Sequence, residues 1–458
     1  MWNSVDYLFV DEVSTIGCGL LVDVHNALVS ATGCTDLFGG VSVIFAGDFA
    51  QLPPVLDMKL YTHLDHRKLH ADTPAGQKTT FGKLLWRSVG TVIILTEQMR
   101  QHGEANEWFV SLLGRLREGV CTEDDFSLLN SWLVSTAGED LLTDDWQKAP
   151  IIVSENAVKD VINVRAAIAF AERTHQTVQW FDAADTYHGA KIADPRIHEH
   201  LLTRPSGKAG QRLRKLPIVL GMPVVVNQNF DVEGGLVNGS FGYLWDYRFQ
   251  TDEDGARTLT SCIIGIPDLT CEPLPHLLPK HVVVISDMVE IRINHPVSGQ
   301  SCTIKRLQVP LAPGFVMMAH KAQGLTLPRV IVDLANCRGT EFPYVMVSRC
   351  PSLDGLLIMR PFPMSKITCR CSQEARNKFT RLDLSRWQLI ATHGTPEEQV
   401  SARAHLTSQD RDRPAMIEQL FQNTSFEDSS QVRDLVQQLQ SDDEGTYGFA
   451  IVPVGCTY

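Results

Sequence analysis

The chain has 458 residues, 44% hydrophobic and 21% charged, which is typical of a soluble globular protein of roughly two to four domains. No stretch approaches the roughly 18 to 20 uncharged apolar residues of a membrane helix, and the first residues form no secretion signal, so neither membrane insertion nor secretion is predicted. Eleven scattered cysteines favour reduced thiols in an intracellular protein, and the close pair Cys369 and Cys371 lacks the second pair that a zinc site needs.

The negative charge is concentrated towards the end of the chain. The net charge is −12, and the residues from Glu397 onward, with eleven acids and four bases, carry −7 of it. The preceding body is therefore close to neutral, which is compatible with a local nucleic-acid groove. A solvated basic loop is the alternative interpretation of the acid-free run that suggests such a groove. This run contains Arg204, Lys208, Arg212, Arg214 and Lys215.

An alternation of strand and helix opens the chain. Two apolar runs, 5–10 and 41–46, predict buried parallel strands that end in the polar pairs Asp11-Glu12 and Gly47-Asp48. Residues 20–28 between them have helical spacing, and Gly33 is expected to stop that helix. Together these elements predict one strand, helix, strand unit of an α/β protein.

The α/β pattern returns further along the chain, with a helix predicted at 156–173. A β-rich excursion over 222–285 interrupts the pattern. Beyond Pro361 the chain is polar, and an amphipathic helix around 432–439 is the one element predicted in the acidic tail. The further α/β strands are predicted at 92–95, 150–153, 330–333 and 356–358.

The residues at the two strand ends point to nucleotide chemistry. An Asp-Glu pair after an apolar strand is suited to hold the water shell of a magnesium ion and to polarise an attacking water, because carboxylates are hard ligands for a hard cation. Taken alone, Asp11 and Glu12 are more often a strand-ending loop. Gln51 is placed to sense a γ-phosphate, although Gly47 and two prolines also predict a simple rigid turn in the segment 47–55.

Six segments carry a family resemblance, and they extend from about Val5 to Ile358. They are YLFVDEVSTIG, GDFAQLPPV, LTEQMRQ, GLVNGSFG, AHKAQGLTL and YVMVSRC. In this order they resemble the motifs of the petite-integration-frequency (Pif) family of DNA helicases, relatives of bacterial RecD. The resemblance implies an α/β fold with two RecA-like P-loop NTPase lobes, the first incomplete, and a small β-barrel inserted in the second. It also implies ATP as substrate, Mg²⁺ as cofactor and 5′-to-3′ movement on single-stranded DNA or at a forked duplex.

The resemblance also implies an organisation of the chain and a setting. A nuclear location would follow from the DNA substrate, with roles in repair, recombination or telomere maintenance. The implied domains are 1–91 for a partial first lobe, 92–245 and 312–362 for the two parts of the second lobe, 246–311 for the β-rich insertion, and 363–458 for a polar, acidic extension.

The resemblance assigns roles to residues in the cleft between the lobes. Asp11 would hold magnesium through water, Glu12 would orient or deprotonate the hydrolytic water, and Gln51 would contact the γ-phosphate. Arg100 and Arg349 resemble the two arginines that reach the phosphates from the second lobe, a kind of contact that raises hydrolysis rates by about 10³ to 10⁵. Without its flanking motif, each arginine would be assigned to a surface salt bridge.

The segment 320–326 matches the family's His-Lys-Ser-Gln-Gly-Leu-Thr motif, with Ala322 where serine is usual. In the family this segment lies between nucleotide and DNA. Residues 234–239, by contrast, predict a tight turn rather than a substrate contact, because Gly and Asn tolerate positive φ. The implied candidates are Gln323 and Gly324 for ATP, and His320, Lys321 and Thr326 for nucleic acid.

The family's phosphate-binding loop, G-x-x-x-x-G-K-[ST], has no counterpart before Asp11, which only ten residues precede. The string from Gly76 to Leu84 has the wrong spacing, lacks the hydroxyl and lies downstream of the Asp11 strand, so it is interpreted as a decoy. The strand and helix that flank the Asp11 strand in the family are also expected to be missing. Their absence would leave apolar sheet surface and an open strand edge.

Three interpretations of function remain open. The chain is the larger part of an ATP-dependent DNA helicase whose phosphate loop lies elsewhere, or a remnant that at most binds single-stranded nucleic acid, or an unrelated α/β binding protein. Helicase ancestry is favoured by the six ordered segments. Poor ATP affinity and little turnover are expected of these residues alone, because the missing loop supplies most of the ground-state binding of ATP.

Overall fold

The computed structural model describes residues 2–62, 73–101, 103, 106–136, 141, 143–192, 194–267, 269–270, 275–296, 298–406 and 452–453. Parallel strands flanked by helices form two α/β units, and the antiparallel sheets lie in the chain between the two parts of the second unit. Among the helices within these ranges, none combines the length and the apolar character needed to cross a membrane.

The first α/β unit consists of β1 (Tyr7–Val10), α1 (Cys18–Thr32), β2 (Ser42–Phe45) and α2 (Pro74–Arg87). The two strands pair in parallel, with Tyr7 opposite Ser42 and Val10 opposite Phe45, as the apolar runs predicted. The predicted end of α1 is also confirmed, because Gly33 has a φ of 72° and takes the left-handed conformation that closes a helix.

The two helices of this unit pack closely on each other. Gly82 of α2 lies so near α1 that a Cβ atom there would come within 2.1 Å of the Cys18 carbonyl oxygen. The glycine-lysine string 76–84 is therefore the interior of a helix, where glycine allows close packing. The core beneath the helices includes Leu21, Leu28, Phe45, Leu85 and Trp86.

One edge of the two-stranded sheet is uncovered. In the part of the chain that the structure describes, β1 pairs only with β2. Tyr7 and Phe9 on β1 are 69% and 58% exposed. Both features agree with the open strand edge expected beside Asp11.

Near the start of the second α/β unit, an ion pair connects two helices. Thr122 starts the second of them with a capping box, in which Thr122 and Asp125 exchange hydrogen bonds between side chain and backbone. Asp125 also accepts two hydrogen bonds from Arg115, at 2.6 and 2.7 Å. The elements of this part are β3 (Ile94–Leu95), α3 (Glu107–Glu118), α4 (Glu123–Ser131), α5 (Asp144–Gln147), β4 (Ile151–Val153) and α6 (Asn156–Arg173), the last with the predicted bounds.

The β-rich part follows, and its sheets are antiparallel. Its elements are β5 (Gln179–Asp182), β6 (Ala184–Tyr187), β7 (Ala190–Lys191), α7 (Pro195–Leu202), β8 (Lys215–Ile218), β9 (Pro223–Val226), β10 (Phe241–Thr251), β11 (Arg257–Gly265), β12 (His281–Ile285), β13 (Asp287–Asn294), β14 (Ser301–Gln308) and β15 (Leu311–Pro313). One sheet has the order β12-β11-β10-β9-β15, a second has β13-β14-β6-β7, and β5 pairs with β8.

Strand pairing in this part extends beyond the segment 246–311. β6 pairs with β14, and β15 pairs with β9, so strands on both sides of the segment join its sheets. Sequence reasoning began the excursion at 222 and missed β5 to β7, because short strands that contain polar residues show little alternation. The domain boundaries at 246 and 311 stay a prediction.

The chain then returns to the second α/β unit through β16 (Val316–Met318), α8 (Ala319–Ala322), β17 (Val330–Val332), α9 (Glu341–Val347) and β18 (Leu356–Ile358). The parallel sheet has the order β16-β4-β17-β18. Both strands predicted for this return are confirmed. The motif segment 320–326 follows β16, the strand at one edge of this sheet, which pairs with β4.

Two helices occupy the start of the C-terminal segment. The sequence predicted no helix or strand between Pro361 and the acidic tail. They are α10 (Gln373–His393) and α11 (Pro396–His405). The buried residues of α10 recur at helical spacing, but they include a lysine and a serine, so no hydrophobic pattern reveals them: Ala375, Lys378, Leu382 and Ser385. A two-residue strand, β19 (Val452–Pro453), pairs with β3. The helix predicted around 432–439 lies outside the described residues.

Candidate active site

The candidate site begins where β1 and β2 end, because the backbone holds the two ends together. The Ala46 amide donates to the Val10 carbonyl at 2.8 Å, and the Val13 amide donates to the Ala46 carbonyl at 2.9 Å. Gly47 permits this approach, since a Cβ atom there would lie 2.7 Å from the Val13 nitrogen. Glu12 itself takes the left-handed conformation, with a φ of 53°, at the start of the turn after β1.

The Glu12 carboxylate contacts the second unit across the cleft. Gln323 Nε2 donates to Glu12 Oε2 at 2.6 Å and to Ser14 Oγ at 3.2 Å. A Cβ atom on Gly324, whose φ is 79°, would lie 3.5 Å from Glu12 Oε1. Asp11 is exposed beside this contact and accepts a hydrogen bond from the Glu12 amide at 2.7 Å. The structure therefore brings together four residues that the resemblance assigned to the nucleotide.

The two predicted arginines lie next to each other on the second-unit side. Arg349 is only 2% exposed, and its guanidinium donates to the Val345 carbonyl at 2.8 Å and the Ser348 hydroxyl at 2.9 Å. Arg100 donates to Thr326 Oγ1 at 3.1 Å and to the Ser348 carbonyl at 3.0 Å. Burial, together with repulsion from Arg100, lowers the pKa of Arg349 to about 10. Within the described ranges, the acceptors of both guanidinium groups are neutral, an arrangement that leaves their charge available to an anion.

Two of the predicted nucleotide residues have a buried amide oxygen without a partner in the described part of the chain. Gln51 Oε1 and Gln323 Oε1 are buried and have no hydrogen-bond partner among the residues that the structure describes. Unpaired donors or acceptors of this kind are costly unless a ligand or water satisfies them. These groups together fit a nucleoside triphosphate: the carboxylates suit a hydrated magnesium ion, the arginines suit phosphate oxygens and the amide oxygens suit a water.

Asp48 is a residue of the site that sequence reasoning named only as the end of a strand. It is almost fully buried, and Arg117 of α3 donates to both of its oxygens, at 2.8 and 3.2 Å. Tyr344 of α9 donates a third hydrogen bond, at 3.2 Å. Burial lowers the pKa of Arg117, but the attraction and hydrogen bonds of Asp48 outweigh it and raise that pKa overall. Asp48 thus holds the loop before Gln51 against the second unit, with a partner that lies too far along the chain to be read from spacing.

The nucleic-acid candidates of segment 320–326 separate in space. His320 and Lys321 are exposed, and the Lys321 ammonium lies 4.0 Å from the position of a Cβ atom on Gly239. Desolvation and repulsion from Lys159 lower the pKa of Lys321, so a second cation is close by. Thr326, in contrast, accepts from Arg100 and lies with the nucleotide candidates.

The basic run is divided by the fold: Lys208 and Lys215 are exposed, Arg204 and Arg214 are half-buried, and Arg212 is buried. Arg212 is buried and donates to Gln228 Oε1 at 2.7 Å. Arg214 forms ion pairs with Asp182 and Asp185, at 3.0 and 3.2 Å. The run itself contains no acid, but the two acids that pair with Arg214 lie on the neighbouring strands β5 and β6. Arg204 donates to the carbonyls of Lys208 and Arg292, and Lys215 lies over the Trp180 ring.

Comparisons with known proteins agree with this geometry, although no family model matches the chain. It is 26% identical over 362 residues to the ATP-dependent DNA helicase PIF1 of Xenopus laevis, covering 78% of this chain and 47% of that protein. It is 22% identical over 433 residues to the ATP-dependent DNA helicase RRM3 of Saccharomyces cerevisiae, covering 83% and 54%. The crystal structure of Pif1 helicase from Bacteroides in complex with ADP-AlF3 and ssDNA superposes with a TM-score of 0.57 at 19% identity, covering 86% of this chain and 77% of that one.

The structural match defines the class of protein, a mixed α/β fold of the kind found in Pif1 helicase structures. The sequence matches show that Pif1-family ATP-dependent DNA helicases are homologues of the chain, at 22% to 26% identity, as its six ordered segments predicted. The chain spans about half the length of the relatives it matches.

Proposed function

We propose that the chain carries part of the ATP hydrolysis site of an ATP-dependent DNA helicase that moves 5′-to-3′ on single-stranded DNA. The observation that carries this proposal is the meeting of Glu12 from one unit with Gln323, Arg100 and Arg349 from the other. A carboxylate opposite uncompensated guanidinium groups suits the attack of water on a phosphoryl group. ATP-dependent helicase homologues support the same assignment.

In this proposal each side chain has a defined task. Glu12 orients the attacking water and accepts its proton, and the Gln323 amide fixes the direction of the carboxylate. Arg100 and Arg349 stabilise the charge that spreads over the transferred phosphoryl group. Gln51 offers its unpaired oxygen to the water or the phosphate. A magnesium ion held through water by Asp11 would neutralise phosphate charge when bound.

The proposal includes the wider architecture and setting. The two α/β units correspond to RecA-like lobes, of which the first is incomplete in this chain, and the antiparallel sheets correspond to a β-barrel inserted in the second. The strand would contact His320 and Lys321, which present positive charge near the Gly239 turn. Forked DNA as a partner, a nuclear location and roles in repair, recombination or telomere maintenance belong to this proposal.

The test is ATP hydrolysis by the purified chain, with and without single-stranded DNA. It is run on the chain alone and on the chain joined to an upstream segment that carries a phosphate-binding loop. DNA-stimulated hydrolysis that Glu12→Gln and Arg349→Met abolish supports the proposal. Arg338→Ala is the matched control, because Arg338 lies in the same unit but is 87% exposed.

Two results count against the proposal. Hydrolysis that Glu12→Gln leaves intact would show that another site is responsible. No hydrolysis in either form, with binding of single-stranded DNA retained, would favour the remnant that only binds nucleic acid.

A further inference from the structure

Helix α10 contacts both α/β units, although it lies outside the six motif segments. Leu382 is buried in the core of the first unit, and Phe379 packs against the cores of both. Just before the helix, the Cys371 thiol donates to the Arg117 carbonyl of α3 at 3.3 Å. The helix is therefore fixed on the two sides of the cleft that contains Glu12.

Lys378 of α10 reaches the loop after β2. It is 2% exposed, and its ammonium lies 4.9 Å from the centre of the Phe49 ring and 4.8 Å from that of Trp86. Phe49 and Trp86 are themselves in edge contact, with ring centres 5.6 Å apart. Burial and repulsion from Arg381 lower the pKa of Lys378, while two ring faces favour its charged form. Lys378 thus fixes the ring that stands two residues before Gln51.

Phe379, the next residue of α10, contacts the side chain that holds Asp48, the residue before Phe49. The Arg117 guanidinium lies 4.7 Å above the centre of the Phe379 ring. The same guanidinium holds both oxygens of Asp48. Two neighbouring side chains of one helix therefore act on the start of the segment Asp48–Gln51, one at Phe49 and the other, through Arg117, at Asp48.

We propose that Lys378 and Phe379 are positioning residues that hold the segment Asp48–Gln51 in the geometry the cleft needs, and that α10 links this segment to the placement of the two units. The chemical consequence rests on the proposed function, because Gln51 acts on nucleotide there. The geometric part stands independently of ATP. The Gln51 amide donates to the Asp48 carbonyl at 2.9 Å, so movement of either end shifts the Gln51 side chain.

The geometric part is tested by hydrogen exchange in the full chain. The reporters are the amides of Ala50 and Gln51, whose acceptors are both on Asp48. Lys378→Met and Phe379→Leu should each accelerate their exchange about tenfold, since local opening becomes easier. Asn377→Ala is the matched control, because Asn377 is exposed on the same helix and bonds only Gln373 among the described residues. Unchanged exchange in both variants overturns the inference, and Phe379→Leu decides it alone if Lys378→Met does not fold.

The chemical part is tested by steady-state ATP hydrolysis in the same variants, each joined to the upstream segment that carries a phosphate-binding loop. The kcat of Lys378→Met should fall about 10- to 100-fold, as expected for a misplaced group, while KM stays within about twofold. Lys378→Arg should restore part of kcat, because arginine also stacks on aromatic faces. A kcat equal to wild type in Lys378→Met, with Glu12→Gln inactive, would refute the inference and leave the proposed function intact. If Glu12→Gln hydrolysed ATP at the wild-type rate, the proposed function would be refuted instead.

Discussion

Two buried arginines, one in the β-rich part and one in the cleft, differ in how their charge is balanced. Arg306 is fully buried on β14, and it donates to both oxygens of Asp185 on β6, at 2.7 and 2.8 Å. Arg349 is almost as buried, but its acceptors within the described residues are carbonyl and hydroxyl oxygens. The two side chains therefore share a residue type and a degree of burial. Of the two, only Arg306 hydrogen-bonds a carboxylate among the described residues, whereas Glu12 and Asp48 attract Arg349 without a hydrogen bond.

This difference separates a charge that is neutralised within the fold from one that we propose binds phosphate. Taking a guanidinium out of water costs several kcal/mol unless an anion compensates it. Asp185 compensates Arg306, and the pair joins two strands that are distant in the chain. Arg349 stands uncompensated across from Glu12, beside a second arginine. Proteins keep a destabilising buried charge of this kind at sites that bind an anionic ligand.

The largest expected effect tests the cleft side of this contrast. Arg349→Met should reduce DNA-stimulated ATP hydrolysis by about 10³-fold, because charge on the transferred phosphoryl group loses its partner. The melting temperature should stay equal or rise, since methionine removes a buried cation that no carboxylate balances. Steady-state kinetics and thermal unfolding measure the two effects, with Arg338→Ala as control. Loss of stability together with loss of activity would contradict the functional assignment.

The structural side of the contrast predicts the reverse result. Arg306→Met should lower the free energy of unfolding by about 3 kcal/mol, because Asp185 remains buried with only Arg214 as a partner. Urea unfolding measures this loss. Lys78→Met removes an exposed ion pair with Asp23 and should cost less than about 1 kcal/mol. If Arg306→Met and Lys78→Met lost the same free energy of unfolding, burial would not determine how much an ion pair contributes to stability.

Asp48 provides an intermediate case, because it compensates Arg117 at the edge of the cleft. Asp48→Asn should cost about 2 kcal/mol, less than Arg306→Met, since asparagine keeps one oxygen acceptor and the Arg117 side chain is 19% exposed. Hydrolysis should also fall, because the loop before Gln51 loosens. Asp23→Asn, on the surface of the same unit, is the control for urea unfolding. A variant as stable as wild type would show that the Arg117 pair contributes nothing to the fold.

The smallest expected effect concerns a buried base that stays neutral. His25 Nδ1 accepts a hydrogen bond from the Phe38 amide at 3.0 Å, and burial lowers the pKa of His25 below its ordinary value of 6.5. The unfolded chain then binds the proton at higher pH than the folded one, so stability falls as the pH drops below about 6.5.

The expected loss for His25 is about 1 kcal/mol between pH 7 and pH 5, the value of one hydrogen bond. Urea unfolding at the two pH values measures it. His25→Gln keeps an acceptor but does not titrate, so its stability should change less over the same range. A parallel decline in both proteins would assign the pH dependence to other groups.

Local patterns were sufficient for the elements that line the cleft. The two parallel strands, the helix that Gly33 ends and the helix Asn156–Arg173 all follow from periodicity and capping. The assignment of Glu12, Gln51, Arg100 and Arg349 to one place came from the order of motifs. The roles of these residues stay predictions until hydrolysis is measured.

Other features could not be read from the chain because they depend on partners far away in sequence. The basic run looked unpaired, yet Asp182 and Asp185 on other strands neutralise Arg214. Helix α10 looked like part of a polar extension, yet its Lys378 lies between two aromatic rings of the first unit. Burial of a charged side chain depends on what surrounds it, and residue type alone does not show it.

By itself, then, the sequence indicated the α/β alternation, the homology to Pif1-family helicases and the candidate residues for nucleotide chemistry. These depend on local spacing and on short motifs, which are contiguous in the chain. Only the tertiary structure decided which charges are compensated: Arg306 by Asp185, Arg117 by Asp48, and Arg349 by no carboxylate among the described residues. Compensation is a contact across space between residues tens to hundreds of positions apart, and no local pattern encodes such a distance.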